Sequence, residues 1–265
     1  MNSREILLYY SLKFNGEWDP IFAEIKKHEF ADDEEQAKKL IKTVKSKWIT
    51  FIDPEYPESL KMTYKPPFVL FYYGDISLIS DTREKMAVVG SRKNSDYGKQ
   101  KTEELVGDIC KDFVIVSGMA YGIDAIAQRT CIKNGGKTIS VLGSGIDVCY
   151  PPENIDIYEA CKEKHLVISE FPNDLAPTTK SFPIRNRIIA GLCQHLLIPE
   201  GKMRSGTQIT AFLMLQKSSN ICCVPERAGE DSLCNHLIAE GAFLVETSND
   251  IYESTRVVLK KPIFE

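Results

Sequence analysis

The chain has 265 residues, 43% of them hydrophobic and 26% charged, which predicts a globular protein with a core of its own. The net charge of −4 argues against a protein that coats DNA through overall positive charge, but it allows a local basic groove. No apolar run approaches ~20 residues and no export signal opens the chain, so we expect a cytoplasmic protein without a membrane span. The eight cysteines contain no C-x-x-C pair, which argues against a zinc site and favours reduced thiols.

The first 47 residues predict a small helical domain. Apolar residues recur at helical spacing over residues 5–12 and 21–25, and a charged amphipathic stretch covers residues 32–47. The acidic run at the start of that stretch is typical of a solvated first helical turn. We therefore assign residues 1–47 to a helical domain that could contact a partner, and residues 48–265 to a second domain.

The second domain has the pattern of an α/β protein. Two short strands are predicted at residues 48–52 and 68–74, with proline-containing turns between them. Six short apolar runs then alternate with helical segments, at residues 86–89, 114–116, 138–142, 166–168, 195–199 and 221–224. This alternation predicts a doubly wound, mostly parallel sheet.

Small residues and hydrogen-bond donors follow five of these strands. They are Gly90-Ser91-Arg92 and residues 117–124, 143–147, 169–172 and 203–207. Ligands of such sheets bind at the carboxyl ends of the strands, so we expect a phosphate-compatible crevice there. Asp124, Asp147 and Glu170 could converge on it and hold a metal or act as acid and base. We interpret Asp124 as a bracing residue and assign none of the three a catalytic role.

The stretch from Phe182 to Gly191 carries the densest chemistry. Arg185 and Arg187 have forks that suit phosphate oxygens, and Phe182 offers a face for an unpaired base. Pro183 at the first helical position would leave free N–H groups facing the same space. Residues 175–217 contain six basic residues and one acid, so positive charge is concentrated here. The alternative is that both arginines pair with local carboxylates and that Phe182 belongs to the core.

Several known sites are not expected. The Gly136-Lys137-Thr138 run precedes a strand and lacks the first glycine of a P-loop, and no G-x-G-x-x-G follows any strand. Neither H-E-x-x-H nor G-x-S-x-G occurs in the chain. We therefore expect no ATP hydrolysis by a P-loop, no classical NAD site and no cofactor.

Six motifs occur in the order found in the DprA/Smf family, which this chain resembles from about residue 49 to residue 244. They are residues 88–92, 117–124, 143–147, 169–172, 182–192 and 204–211. The resemblance implies an extended Rossmann-like domain behind a SAM-like helical domain. It also implies a non-catalytic homodimer that binds single-stranded DNA. In that family the protein protects incoming DNA during natural transformation and loads the RecA recombinase past single-strand-binding protein.

The resemblance also implies residue roles. The residues implied to bind single-stranded DNA are Gly90, Ser91, Arg92, Ser117, Gly118, Lys180, Phe182, Arg185, Asn186, Arg187, Arg204, Ser205, Gly206 and Thr207. Lys180 matches its family counterpart only with a register shift of one. The implied self-association surface includes Leu215 and the stretch from His236 to Leu244, within which His236, Leu237 and Leu244 are the assigned residues.

Two other functions stay open. One is a nucleotide-binding Rossmann enzyme of the lysine-decarboxylase-like nucleotide hydrolase class, with Glu170 or Glu200 as its acid. That class carries a P-G-G-x-G-T run, whereas the corresponding loop here is Met203-Arg204-Ser205-Gly206-Thr207, which disfavours this hypothesis. The other is a scaffold for competence proteins in which DNA binding is incidental.

Overall fold

The computed structural model describes residues 1–30 and 32–256. Three helices open the chain: α1 (Ser3–Lys13), α2 (Trp18–Ile25) and α3 (Glu34–Ile41). Side chains of Asn2 and Asp33 cap α1 and α3, which is why these helices begin where they do. Helix α3 ends before residue 47, in contrast to the prediction. The N–H groups of Thr43 and Val44 turn back to carbonyls three residues earlier and lead the chain into a strand.

The predicted mostly parallel α/β sheet is confirmed. In the described part of the chain it has nine strands: β1 (Lys47–Thr50), β2 (Val69–Gly74), β3 (Lys85–Val88), β4 (Val114–Ser117), β5 (Lys137–Val141), β6 (Leu166–Ser169), β7 (His195–Ile198), β8 (Asn220–Cys223) and β9 (Phe243–Leu244). Their order is β1-β2-β6-β5-β4-β3-β7-β8-β9, and only the β1–β2 and β2–β6 pairs are antiparallel. The two-residue strand β9 was not predicted. The chain order reverses between β3 and β7, which is where such sheets bind ligands.

Helices cover both faces of the sheet. After β1 they are α4 (Glu58–Lys61), α5 (Asp96–Ile109), α6 (Ile123–Lys133), α7 (Ile155–Lys164), α8 (Ser181–Leu192), α9 (Gly206–Gln216), α10 (Leu233–Ala239) and α11 (Ser248–Thr255). Met86 and Val88 of β3 pack with α5, α6 and α11, whereas Ala87 and Val89 pack with α8, α9 and α10. Both faces of the strands are therefore buried, which explains their continuous apolar runs. No helix among the described residues is long and apolar enough to cross a membrane.

The N-terminal helices share a core with the sheet. Leu7, Leu8 and Leu12 of α1 belong to the same buried cluster as Val69 and Phe71 of β2, together with residues of α7. A second, smaller cluster lies among the three helices themselves. The helical segment is thus joined to the α/β body by continuous apolar packing, and the assignment of residues 1–47 to a domain of their own stays a prediction.

This shared core predicts that the segment and the sheet unfold together. Leu8 is fully buried, so Leu8→Ala should lower the free energy of unfolding by about 2–5 kcal/mol in one transition of the whole chain. Urea denaturation followed by tryptophan fluorescence and far-ultraviolet circular dichroism measures this. The exposed control Lys39→Ala should change stability by less than about 0.5 kcal/mol. An early transition of the helices alone, with the rest unfolding at the wild-type midpoint, would contradict the shared core.

Candidate nucleic-acid interface

Helix α8 begins at Ser181, two residues before the predicted start at Pro183. Thr178 and Ser181 exchange backbone-to-side-chain hydrogen bonds of 3.0 and 3.1 Å, and the Ser181 hydroxyl also donates to the Gly143 carbonyl. Pro183 is therefore the third helical residue. The N–H groups of Ser181 and Ile184 are already bonded, to Thr178 and to the Lys180 carbonyl. Fewer N–H groups are therefore free at this helix start than a start at Pro183 would leave.

Phe182 and Arg92 meet beyond the carboxyl ends of the parallel strands, a surface that we call the carboxyl rim of the sheet. The Arg92 guanidinium lies 5.5 Å from the centre of the Phe182 ring, and the centre of the Tyr150 ring lies 5.6 Å from the same point. Phe182 is partly exposed, so the alternative that placed it in the core is wrong. The ring packs on Gly143, where a Cβ would stand only 2.7 Å from a ring carbon. A glycine is therefore needed at this contact.

The loop that carries Arg92 is clamped from two sides. Ser91 donates its N–H to the Glu200 carbonyl at 2.9 Å and accepts from the N–H of Ile123 at 3.1 Å. A Cβ at Gly90 would lie 2.5 Å from the Glu200 carbonyl oxygen and 2.8 Å from the Ile123 Cβ. Gly90 and Ser91 therefore fix the backbone, and Arg92 extends into solvent from a rigid support.

Arg185 lies beneath the rim loops. Its Nη1 donates to the Gly118 carbonyl at 2.7 Å and to the Val141 carbonyl, and its Nε donates to Asn186 at 3.1 Å. Burial lowers the pKa of Arg185 to about 10, while the nearby Asp124 carboxylate raises it. Asp124 accepts the Gly118 N–H at 3.1 Å, in agreement with its interpretation as a bracing residue. The fork expected to face phosphate is thus engaged inside the protein.

Arg187 lies on the opposite side of α8, since residues two apart on a helix are separated by about 200°. It is buried and pairs with Glu170 at 2.5 Å, as the alternative interpretation of the arginines proposed. Burial raises the pKa of Glu170, and Arg187 counteracts that rise. Nη1 of Arg187 and Oε2 of Glu170 have no hydrogen-bond partner within residues 1–30 and 32–256. Both residues line a cavity of about 1220 Å³ between α8, α9 and the N-terminal helices.

The remaining predicted DNA-binding residues fall into three groups. Lys180 and Arg204 are exposed, at the starts of α8 and α9. Ser117 is buried and donates its hydroxyl to the Val88 carbonyl at 2.7 Å. The last group, Asn186, Ser205, Gly206 and Thr207, supports the start of α9. Asn186 donates to the Gly206 carbonyl, Ser205 caps the helix, and Thr207 is buried in its first turn. The starts of α8 and α9 are therefore linked by the hydrogen bond from Asn186 to Gly206. Of these residues, Lys180 and Arg204 extend charged side chains into solvent.

The residues of the implied self-association surface lie near the edge formed by β9. Leu215 and Leu244 are each 48% exposed, and His236 is exposed as well. Leu237 is buried and supports them from beneath. Leu215 and Leu237 line a shallow depression that also includes Phe243, another exposed residue of the implied stretch from His236 to Leu244. Among the described residues β9 pairs only with β8, so it is an open sheet edge.

The carboxylates considered for catalysis have structural partners. Asp147 accepts the Tyr73 hydroxyl at 2.6 Å, and Glu200 accepts the N–H and hydroxyl of Ser95 at 2.9 and 2.5 Å. No group of three or more possible metal-ligating side chains occurs in the residues that the structure describes. The chemistry at this rim is therefore that of hydrogen-bond donors, an exposed arginine and aromatic rings.

Two exposed aromatic residues at the rim were missed. Tyr121 follows β4 and Tyr150 follows β5, and their side chains are 42% and 43% exposed. The Tyr121 hydroxyl donates to Glu153 at 2.6 Å, and this bond raises the pKa of Tyr121 to about 12. Tyr121 lies inside the 117–124 motif, and Tyr150 lies three residues after the 143–147 motif. Their position in strand-end loops was the available signal.

The fold and the rim together define a Rossmann-like α/β protein whose strand-end loops carry exposed arginine and aromatic side chains. The family model of DNA recombination-mediator protein A matches residues 47–256. The chain belongs to this family, known as DprA/Smf.

Individual relatives agree with this assignment. The chain is 40% identical over 204 residues to DNA processing protein DprA of Streptococcus pneumoniae, which covers 76% of this chain and 72% of the relative. It is 39% identical over 202 residues to DprA of Bacillus subtilis, which covers 75% and 68%.

Solved structures agree as well. The structure of Streptococcus pneumoniae DprA has a TM-score of 0.79 and 34% identity, over 95% of this chain and 93% of that chain. A Helicobacter pylori DprA structure, described for its single-stranded DNA binding mode, has a TM-score of 0.72 and 28% identity, over 80% and 97%.

The geometry beneath the rim predicts that Gly118 is needed to accommodate Arg185. A Cβ at Gly118 would lie 2.5 Å from the Cζ and Nη1 atoms of Arg185, so Gly118→Ala must displace the guanidinium from its carbonyl partners. We expect a loss of about 1–3 kcal/mol in the free energy of unfolding, measured by urea denaturation. The control Gly206→Ala adds a Cβ with no neighbour within 4 Å and should change stability by less than about 1 kcal/mol. Wild-type stability of Gly118→Ala would contradict the bracing role of Arg185.

Proposed function

We propose that the protein binds single-stranded DNA at the carboxyl rim of its sheet and acts as a recombination mediator. In this role it receives incoming DNA during natural transformation, protects it, and loads a RecA recombinase in place of single-strand-binding protein. The observation that carries the proposal is the exposed contact between Arg92 and the partly exposed Phe182 ring, in a member of a DNA recombination-mediator family. The Helicobacter pylori relative described for single-stranded DNA binding supports it.

The chemistry of the rim suits an unpaired strand. Arg92 and Lys180 are exposed cations that attract phosphates without any base preference. Phe182 offers a face on which a base can stack, and stacking requires a base that is free of its partner strand. Arg185 and Arg187 contribute by holding the loops and α8 in place rather than by contacting DNA.

Binding, rather than catalysis, is the proposed mode of action. The nucleotide hydrolase hypothesis requires Glu170 or Glu200 as an acid, but Glu170 is paired with Arg187 and Glu200 with Ser95. Incubation with nucleoside monophosphates and a search for free base tests that rival directly. A scaffold role is tested by transformation assays on a variant that dimerises but does not bind DNA.

The eight free cysteines fit a reducing cytoplasm.

We also place the homodimer contact at the β9 edge and the exposed face of α9. Exposed apolar side chains of Leu215, Phe243 and Leu244 beside an unpaired strand edge suit a second copy of the chain. Two joined protomers would present two DNA sites to one strand, which raises the overall affinity through effective concentration.

The dimer proposal predicts that Leu244→Asp yields a monomer. A carboxylate at this exposed apolar position would have to be desolvated in the contact, so light scattering should show half the wild-type mass at micromolar concentration. The exposed control Ile155→Asp, in α7, should leave the mass unchanged. A Leu244→Asp protein with the wild-type dimer mass would move the contact elsewhere.

The DNA proposal predicts a salt-dependent loss on Arg92→Ala. Loss of a charge-assisted phosphate contact should weaken binding to oligo-dT about tenfold or more. It should also lower the slope of log affinity against log salt by about 0.7, the value for one phosphate contact on a single strand. Gel shifts and fluorescence anisotropy over a salt series measure both quantities, with duplex DNA of the same length for comparison.

A matched control removes one exposed cation at the other end of the strands, on the side of their amino termini. Lys111 precedes β4 and should tolerate alanine without any change in affinity or salt slope. Equal effects of Arg92→Ala and Lys111→Ala would show that only net charge matters. Wild-type affinity of Arg92→Ala would remove Arg92 from the site.

A further inference from the structure

Three aromatic rings follow three neighbouring strands at the carboxyl rim. Tyr121 follows β4, Tyr150 follows β5, and Phe182 stands beyond the loop that follows β6. These strands are adjacent in the sheet, in the order β6-β5-β4. Phe182 packs on Gly143 at the end of β5, and its ring lies beside that of Tyr150. Phe182 and Tyr150 therefore lie together at the end of β5, with Tyr121 at the end of the adjacent strand β4, and the three form a row.

The rings of Tyr150 and Phe182 leave no gap between them into which a base could insert. The ring centres of Tyr150 and Phe182 are 5.6 Å apart, and their planes are tilted by 35°. A base inserted between two rings would need roughly 7 Å, which is two stacking distances of about 3.4 Å. No base fits between these two rings, so bases would lie on the faces that the rings turn to solvent.

The loops that carry the two tyrosines are tied to each other, and the Tyr121 ring is also held by its hydroxyl. Asn154 donates to the carbonyls of Met119 and Ala120 at 2.9 and 3.3 Å, which ties the loop after β5 to the loop after β4. The Tyr121 hydroxyl donates to Glu153 at 2.6 Å. Rings that are already ordered lose little conformational entropy when a base stacks on them.

Charge along the row is not uniform. Arg92 lies at the Phe182 end with the exposed Lys93 beside it, whereas Glu153 lies at the Tyr121 end. Phosphates are attracted to the first end and repelled from the second. A strand crossing the rim would therefore turn its phosphates away from Glu153 and its bases toward the tyrosines.

From these observations we infer that Tyr150 and Tyr121 are two further nucleobase-stacking positions, and that the strand runs from Phe182 across the ends of β5 and β4. The inference rests on the proposed function and deepens it, because it assigns the path of the strand and two residues that hold its bases. The ligand is unpaired nucleic acid, recognised through base faces and without sequence preference.

The test measures oligo-dT binding by alanine and phenylalanine variants at each tyrosine. Tyr150→Ala and Tyr121→Ala should each weaken binding about 5- to 100-fold, the range for one lost base stack. The slope of log affinity against log salt should stay at the wild-type value, because no phosphate contact is removed. Tyr150→Phe and Tyr121→Phe keep the ring and should bind within about twofold of wild type.

A second readout follows the bases themselves. An oligonucleotide with 2-aminopurine at successive positions should be quenched at the positions that stack on a ring. Each alanine variant should restore fluorescence at its own position only. Leucine variants keep side-chain volume without a π-face and should behave as the alanine variants do, which separates stacking from loss of packing.

The outcomes distinguish this inference from the proposed function. If the wild type fails to bind single-stranded DNA, the proposed function is wrong and the row falls with it. If the wild type binds and Arg92→Ala weakens it, but both alanine variants bind as wild type, the function stands and the stacking row is overturned. A reduced salt slope in either alanine variant would likewise overturn the assignment to base stacking.

Discussion

The buried guanidinium of Arg185 is the interaction on which the rim depends. From α8 it reaches the Gly118 carbonyl after β4 and the Val141 carbonyl at the end of β5. Without it these carbonyls would lie buried without their donor, at a cost of about 1–3 kcal/mol each. The same contact sets the distance between α8 and the two loops. Phe182, Tyr150 and Tyr121 all stand on elements that it ties together.

The rim separates two tasks among its arginines. Arg185 and Arg187 are buried and satisfy carbonyls and a carboxylate, whereas Arg92 stands exposed on a loop clamped by Glu200 and Ile123. An exposed fork beside an aromatic face would offer a phosphate contact and a stacking contact in one place, as the proposed function requires. A chain with a net charge of −4 can bind a polyanion in this way, because the local charge at the site and not the total determines the field there.

Much of this fold could be predicted from sequence. Strands buried on both faces are continuous apolar runs, so the six apolar runs of the sequence correctly predicted strands β3 to β8. The loops after these strands then showed where the carboxyl rim lies. The pairing of Arg187 with Glu170 agrees with the alternative that local carboxylates hold the arginines. The role of Arg185 could not be predicted, because its partners are two backbone carbonyls distant in sequence and no local pattern shows that they converge. The start of α8 was misplaced because the Thr178–Ser181 hydrogen bonds outweigh the preference of Pro183 for a first helical position.

The central claim is that an unpaired strand lies along the carboxyl rim of the sheet. Photocrosslinking of a 4-thiothymidine oligonucleotide, followed by mass spectrometry of the adducts, tests it most directly because it reports position without a mutation. We expect adducts on peptides that contain Arg92 and Phe182, and we expect unlabelled single strand, but not duplex, to abolish them. Adducts confined to the amino-terminal ends of the parallel strands, around Lys111, Asn134 and Gln194, would contradict this position of the strand.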